Sequence, residues 1–330
     1  MRLTCAFATS LDTPEHIRIA ESLGYERAWC YDSPALYPDV WVQLCRAAER
    51  TSTIGLGPGV LIPSLRHPMV TAAAIGTLVD IAGQDRVAVA VGTGFTGRFT
   101  MGQRPLKWAD VARYVTTVKE LLAGRVVTWE GGQMQMMHPD GFGPAHPIDV
   151  PFLFGAAGPK GIATARELGD GLFLAGARPV PGFAWEPYLM PGTVLRDGES
   201  FDSPRVMRAA GHAVTVGYHF FAENGLPGEL LPGFDEWLHA YDDVAPDERH
   251  LALHDLHMID VNDRDRPFVT PQHIELLGAA WTPDALRERL AVLEAGVSPT
   301  SPTSRPATYQ PNSRRSPRRF VADDRDLTWS

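Results

Sequence analysis

Short apolar runs alternate along the chain with longer stretches in which apolar residues recur every three or four positions, and this alternation predicts strands separated by amphipathic helices. Seven runs read as strands: LTCAFA (3–8), RAWCYD (27–32), TIGLGPGV (53–60), RVAVAVGTG (86–94), PFLFGAA (151–157), GLFLAG (171–176) and HAVTVGYH (212–219). Between them TPEHIRIAESLGY predicts a helix with Ile17, Ile19, Ala20 and Leu23 on its apolar side, Thr13 as N-cap, Pro14 at its first helical position and Gly24 as its stop. DVWVQLCRAAERT, HPMVTAAAIGTLVDIAG, WADVARYVTTVKELLAG, GPKGIATARELGD and TPDALRERLAVLEAG predict further helices. Strand and helix in turn, with no antiparallel hairpin signals, imply parallel strands joined by right-handed crossovers. An eighth strand closing a barrel is expected after the helix at 282–296. A doubly wound open sheet is the alternative, but TSLDTPEH follows the first strand where that fold carries G-x-G-x-x-G.

Composition narrows the partners. A chain of 330 residues, 44% hydrophobic and 21% charged, buries a large core, and a formal net charge of -9 argues against a nucleic-acid surface. Cys5, Cys30 and Cys45 form neither a C-x-x-C pair nor an even-numbered framework, which favours a reducing compartment. The first ten residues turn polar early and no run of 18 uncharged apolar residues occurs, so a cytoplasmic protein with no membrane anchor is expected.

In a barrel of this kind the chemistry collects at the C-terminal ends of the strands. Strand two ends in YDSP, with Tyr31 and Asp32 at the mouth, although Asp32 could equally cap a turn before Pro34. Strand three ends in GPGVLIPSLRHP, where Gly57 and Gly59 either relieve crowding or shape backbone against a ligand. Strand four ends in Gly92, Thr93 and Gly94. Strand five runs into GAAGPKGIATA, whose bare backbone at a helix start forms either a tight turn or a phosphate site. In ERHLALHDLH, His250, His254 and His257 share one face if the segment is helical. Seven residues span about 10 Å of helix, too far for the outer pair to share one zinc ion, so no metal is assigned. His257 is instead offered as an active-site histidine beside Tyr31 and Asp32. No G-x-S-x-G elbow, Walker A loop or H-E-x-x-H motif is present, which weakens hydrolase and kinase readings.

The segments TSTIGLGPGVLIPSLRHPMVTAAAIGTL, RVAVAVGTGFTGR and PFLFGAAGPKGIATARELGDGLFLAG resemble the bacterial luciferase-like superfamily of flavin-dependent oxidoreductases. Within it the resemblance is greatest to the deazaflavin branch that includes methylenetetrahydromethanopterin reductase and the F420-dependent glucose-6-phosphate dehydrogenase. It implies a luciferase-like TIM (β/α)8 barrel over residues 1–297, with insertions near 95–107 and 177–206. It implies coenzyme F420 as cofactor, with FMN as the alternative, and hydride transfer to or from a small organic substrate. Asp32 matches a family position near substrate and ring. Gly59–Val60, followed by Leu61, matches a non-prolyl cis peptide behind the ring. Gly92, Thr93 and Gly94 match a loop on the ring and ribityl chain, and Ala156, Ala157, Gly158, Pro159 and Lys160 match the phosphate loop. Phe95 and Ser33 depart from the sugar-phosphate dehydrogenases, which carry glutamate and histidine there, so that sugar chemistry is not expected. An FMN-dependent monooxygenase using O2, and a non-catalytic flavin-binding or inactivated barrel, stay open beside the deazaflavin enzyme.

The resemblance breaks at SPTSPTSRPATYQPNSRRSPRRF, from Ser298, whose prolines and arginines cannot form a buried eighth strand. Either this is a basic appendage, or a frameshift near Val297 has replaced the last strand and helix; a different frame of a G/C-rich back-translation restores an apolar strand, a turn and an amphipathic helix. In the frameshift case a disrupted barrel end leaves open sheet edges. The 177–206 stretch reads as an insertion over the barrel mouth, with Trp185 and Tyr188 packing it or lining a pocket. The expected partners are a small-molecule substrate and a second copy in a homodimer, without nucleic acid or membrane.

Overall fold

The computed structural model describes residues 2–175 and 179–294. They fall into two compact units: Arg2–Phe99 with Gln103–Leu189, and the described residues from Met190 onward with Thr100–Gly102. No helix among the described residues is long and apolar enough to cross a membrane.

The first unit is built on a seven-stranded, all-parallel sheet: β1 (Thr4–Phe7), β2 (Arg27–Cys30), β3 (Gly55–Leu61), β4 (Val89–Gly92), β5 (Phe152–Gly155), β6 (Gly171–Ala175) and β7 (Tyr188–Leu189), hydrogen-bonded in that order. Parallel strands paired in chain order are what the (β/α)8 expectation requires of this unit. The side chains alternate along each strand. Cys5, Phe7, Ala28, Cys30, Val89, Val91, Phe152, Phe154, Leu172 and Leu174 pack outward with Ile17, Leu44, Ile75, Val115 and Leu121 of the surrounding helices. Ala6, Trp29, Ala88, Ala90, Leu153 and Phe173 form a separate inner cluster, with Trp29 meeting Phe173 edge-on at 5.2 Å. Small alanines stand with one indole and one phenyl ring in this interior.

The helices run Thr13–Ser22, Val40–Ala48, Pro68–Ala82, Trp108–Leu122 and Pro159–Leu168. Asp39 caps the second, its carboxylate accepting from the amides of Trp41 and Val42. The N-cap of the first is Asp12, and Thr13 lies inside the helix, where its hydroxyl accepts from the Ser10 amide at 2.7 Å.

Two sequence expectations are corrected. HAVTVGYH is no strand: it lies within the 21-residue helix Pro204–Asn224 of the second unit. Its apparent alternation is part of a longer helical spacing, Val206, Ala210, Ala213, Val214 and Tyr218, all buried. The seventh strand is instead Tyr188–Leu189, inside the stretch read as an insertion, and pairs parallel with Leu174–Ala175. The expected absence of hairpins also fails. Val127–Trp129 and Gly132–Met134 pair antiparallel across Glu130 (φ 50°) and Gly131 (φ 83°), a turn with two left-handed residues, on strands too short to stand out in the pattern.

The second unit packs the Pro204–Asn224 helix with Phe234–His239, Arg249–Leu253, Pro271–Leu276 and Pro283–Glu294 around Val214, Tyr218, Trp237, Tyr241 and Ile274. A two-stranded parallel pair, Thr193–Val194 with Ala280–Trp281, belongs to it. The expected eighth strand and the tail from Ser298 lie outside the described residues.

Candidate active site

The inward faces of the strands carry two successive layers. The lower layer holds Trp29, Ala90, Leu153 and Phe173. Two residues further along the same faces stand Tyr31, Gly92, Gly155 and Ala175. Bulk therefore gives way to bare backbone at the C-terminal end, where Gly155 is half-buried and Ala175 is exposed.

The peptide Gly59–Val60 is cis, as the family position implies. The Val60 side chain lies against the two strand-end glycines. A Cβ on Gly92 would stand 2.9 Å from Val60 Cγ2, and one on Gly155 2.8 Å from Val60 Cγ1. Both glycines are thus required by the valine, which is itself half-buried on the upper layer. Gly59 and Leu61 are buried, as are Gly92 and Gly94, while Thr93 is half-buried. Ala156 is buried at the end of β5, but Ala157, Gly158, Pro159 and Lys160 are exposed at the start of the ten-residue helix Pro159–Leu168. A Cβ on Gly158 would meet nothing within 4 Å, so this helix start has its amides open to a ligand.

Tyr31 is the polar group of the upper layer. Its hydroxyl is buried and has no hydrogen-bond partner among the described residues. Burial, with a smaller contribution from Cys30, pushes its phenol well above the ordinary tyrosine value. It is a hydrogen-bond donor at neutral pH. A buried, orphaned donor beside bare strand ends is chemistry that a bound ring or substrate oxygen satisfies.

Asp32 plays a different part. Its side chain is 1% exposed, and it accepts from the Ile62 amide at 3.1 Å and from Arg66 Nη1 at 2.9 and 2.8 Å. Arg66 Nη2 also donates to Asp39 Oδ2 at 2.7 Å, and the Arg66 carbonyl accepts from the Tyr114 hydroxyl at 3.0 Å. Burial pushes the Asp32 carboxyl above its ordinary value, against the opposing pull of Arg66 and the Ile62 amide. Asp39, which is more exposed, also feels burial, but Arg66 and the helix amides outweigh it and draw the carboxyl down. Asp32 thus fastens the end of β2 to the chain that follows Val60. Arg66, 34 residues away, is the functional residue to which the sequence reading gave no role. Charge complementarity at the mouths of adjacent strands is the only signal that could have paired them.

His257 belongs to the second unit and is 4% exposed. The helix expected to align His250, His254 and His257 ends at Leu253, and Leu256 (φ 59°) and Met258 (φ 58°) turn the chain through left-handed positions. His257 is gathered with His254 and with His219 of the long helix, while His250 lies against Gly102.

The family model for luciferase-like monooxygenases matches residues 9–216. The chain belongs to this luciferase-like family. Among curated luciferase-like relatives, the 5,10-methylenetetrahydromethanopterin reductase of Archaeoglobus fulgidus is 32% identical over 169 residues, 50% of this chain and 49% of that protein. The F420-dependent glucose-6-phosphate dehydrogenase of Nakamurella multipartita is 32% identical over 180 residues, 52% of this chain and 50% of that protein. The chain thus spans about half the length of the curated relatives it matches. The solved structure of the coenzyme F420 dependent tetrahydromethanopterin reductase from Methanopyrus kandleri superposes with a TM-score of 0.60 at 19% identity, covering 94% of this chain and 93% of that one. At that identity the likeness is one of luciferase-like fold.

Proposed function

We propose that this luciferase-like protein is an oxidoreductase that uses coenzyme F420 to transfer hydride to or from a small organic substrate. The observation that carries the reading is the upper layer: Val60 seated on Gly92 and Gly155, with the orphaned Tyr31 hydroxyl beside them. The 32% identity to F420-dependent enzymes supports it. The residues present fit such a coenzyme, because a flat surface of Val60 and glycine backbone suits a planar ring and the open amides at Gly158 suit a phosphate.

Bound there, the deazaflavin supplies a hydride-carrying carbon and does not activate oxygen. The chain's own part is positional. Val60 backs the ring, and Tyr31 donates its phenolic proton in a hydrogen bond to a ring or substrate oxygen. Asp32, locked by Arg66, fixes the Ile62 backbone next to Val60 and is a positioning residue. A homodimer and a small-molecule substrate complete the reading.

A fluorescence titration of the purified chain with coenzyme F420 and, separately, FMN tests it. Saturable binding of the deazaflavin at micromolar levels, with none of FMN, is expected. Preference for FMN would replace hydride transfer by monooxygenation with O2, and binding of neither would overturn the site.

A further inference from the structure

The second unit holds three imidazoles that the strand-end site leaves unexplained. One ring nitrogen from each of His219, His254 and His257 lies within 4.8 Å of the others, and the three residues are 1%, 1% and 4% exposed. His257 Nδ1 stands 2.9 Å from His219 Nδ1 and 3.3 Å from His254 Nδ1.

Proton accounting makes this arrangement awkward for three free imidazoles. His254 directs Nε2 at the carboxylate of Glu223, in a close contact that places the ring proton on Nε2 and leaves Nδ1 a lone pair. His219 Nε2 is buried with no hydrogen-bond partner among the described residues, and the nearest carboxylate oxygen, Asp265 Oδ2, stands 3.6 Å away, so charge alone favours a proton on Nε2 there. Two lone pairs then face His257 Nδ1, which has at most one proton to give, so one of the two contacts sets lone pair against lone pair.

A cation at the meeting point removes the conflict. Imidazole nitrogens bound to one zinc ion at about 2.0–2.1 Å in tetrahedral geometry stand roughly 3.3–3.4 Å apart; the His254–His257 pair has this spacing, and the His219–His257 pair, at 2.9 Å, would open by a few tenths of an ångström. The outer contacts also match what a metal requires. A metal-bound histidine passes its second ring N–H to a carboxylate, which fixes the ring. Glu223 does this for His254; Asp265, held by Trp237 Nε1 at 2.6 Å, Tyr241 Oη at 2.7 Å and Asn262 Nδ2 at 2.9 Å, stands 3.6 Å from His219 Nε2, near it but not hydrogen-bonded to it. Neither carboxylate is paired with a lysine or arginine among the described residues. Glu223 Oε2 is buried without a hydrogen-bond partner among those residues, a second sign of a missing positive charge.

We propose that His219, His254 and His257 bind one divalent metal ion of the zinc class. The ion fastens the long helix Pro204–Asn224 to the turn at 254–258, and its remaining position is left to water.

The full chain, freed of metal by chelation and dialysis, is titrated with Zn2+ by calorimetry and with Co2+ by visible absorption. The metal-free chain is expected to bind one equivalent of each, with the absorption of tetrahedral cobalt and a higher melting temperature. His219→Gln and His254→Gln are expected to weaken Zn2+ at least 100-fold, and Glu223→Gln about 10- to 100-fold as the loss of an outer partner. His250→Gln, outside the cluster, is expected to leave binding unchanged. Failure of the wild-type chain to bind either ion stoichiometrically would overturn the proposal, whatever the folding of the variants. So would a His250→Gln loss equal to that of His254→Gln. These readouts do not depend on the coenzyme.

Discussion

Replacing Arg66 with methionine keeps a long aliphatic side chain but removes the guanidinium that holds Asp32. The carboxylate is then left with the Ile62 amide, on a side chain only 1% exposed. Removing one partner of a buried ion pair costs about 3–5 kcal/mol, because the remaining charge is buried and uncompensated. The lost bridge to Asp39, whose side chain is 44% exposed, adds no more than about 1 kcal/mol. A loss near 4 kcal/mol lowers the melting temperature of a unit of this size by roughly 8–16 °C.

The pH dependence separates a stranded charge from a simple packing loss. In Arg66→Met the Asp32 carboxyl is buried without its cation, so its folded value lies still further above its unfolded value of about 3.9. Between the two values the folded state holds the extra proton. Stability is therefore greatest below the unfolded value and declines as pH rises through the folded one. Urea unfolding of wild type and variant, followed by circular dichroism at about pH 4.5 and about pH 7, should show a deficit that is larger at the higher pH. Asp32→Asn in the Arg66→Met background should recover at least half of the loss at neutral pH. A deficit below about 1 kcal/mol, or one that does not change with pH, would refute the picture of a buried anion held by Arg66.

Gly155→Ala should cost about 1–3 kcal/mol through overpacking, since its Cβ falls 2.8 Å from Val60 Cγ1, and should weaken F420 in the fluorescence titration. Val60→Ala added to it should return the stability seen in urea unfolding. Glu21 accepts from the amides of Ser52, Thr53 and Ile54; burial opposes its charge, but these donors together hold its carboxyl at about 2. Its folded value lies below the ordinary glutamate value of 4.5, so its contribution is full above that pH and is lost as pH falls toward 2. Acid unfolding of Glu21→Gln should accordingly be flatter than wild type over that window.

Six of the seven sheet strands were legible because strands buried on both faces read as short apolar runs, such as VAVAV and FLF, each ended by a glycine. Tyr188–Leu189 was not, because a pair of residues makes no run; its pairing to β6 is set by tertiary context. HAVTVGYH misled for a local reason. Eight residues satisfy a two-residue alternation as well as a helical one, and only Val206 and Ala210 upstream reveal the longer period.

The site divides along a similar line. Gly92 and Gly155 stand out because each lies two residues beyond an inward-facing Ala90 or Leu153, so the thinning of the upper layer follows from the strand period alone. Arg66 and His219 do not stand out, because their partners lie 34 and 38 residues away on other elements. Sequence spacing can place residues on one element; it cannot bring two elements together. That is why the histidine triad inferred from spacing included His250, one turn from His254, while the packed cluster takes His219 from the neighbouring helix. It also explains why Asp32, which at a strand mouth reads as acid or base, stands in the structure as an anchor: its two oxygens are taken by Arg66 and Ile62, and the polar group left open at the mouth is the Tyr31 hydroxyl.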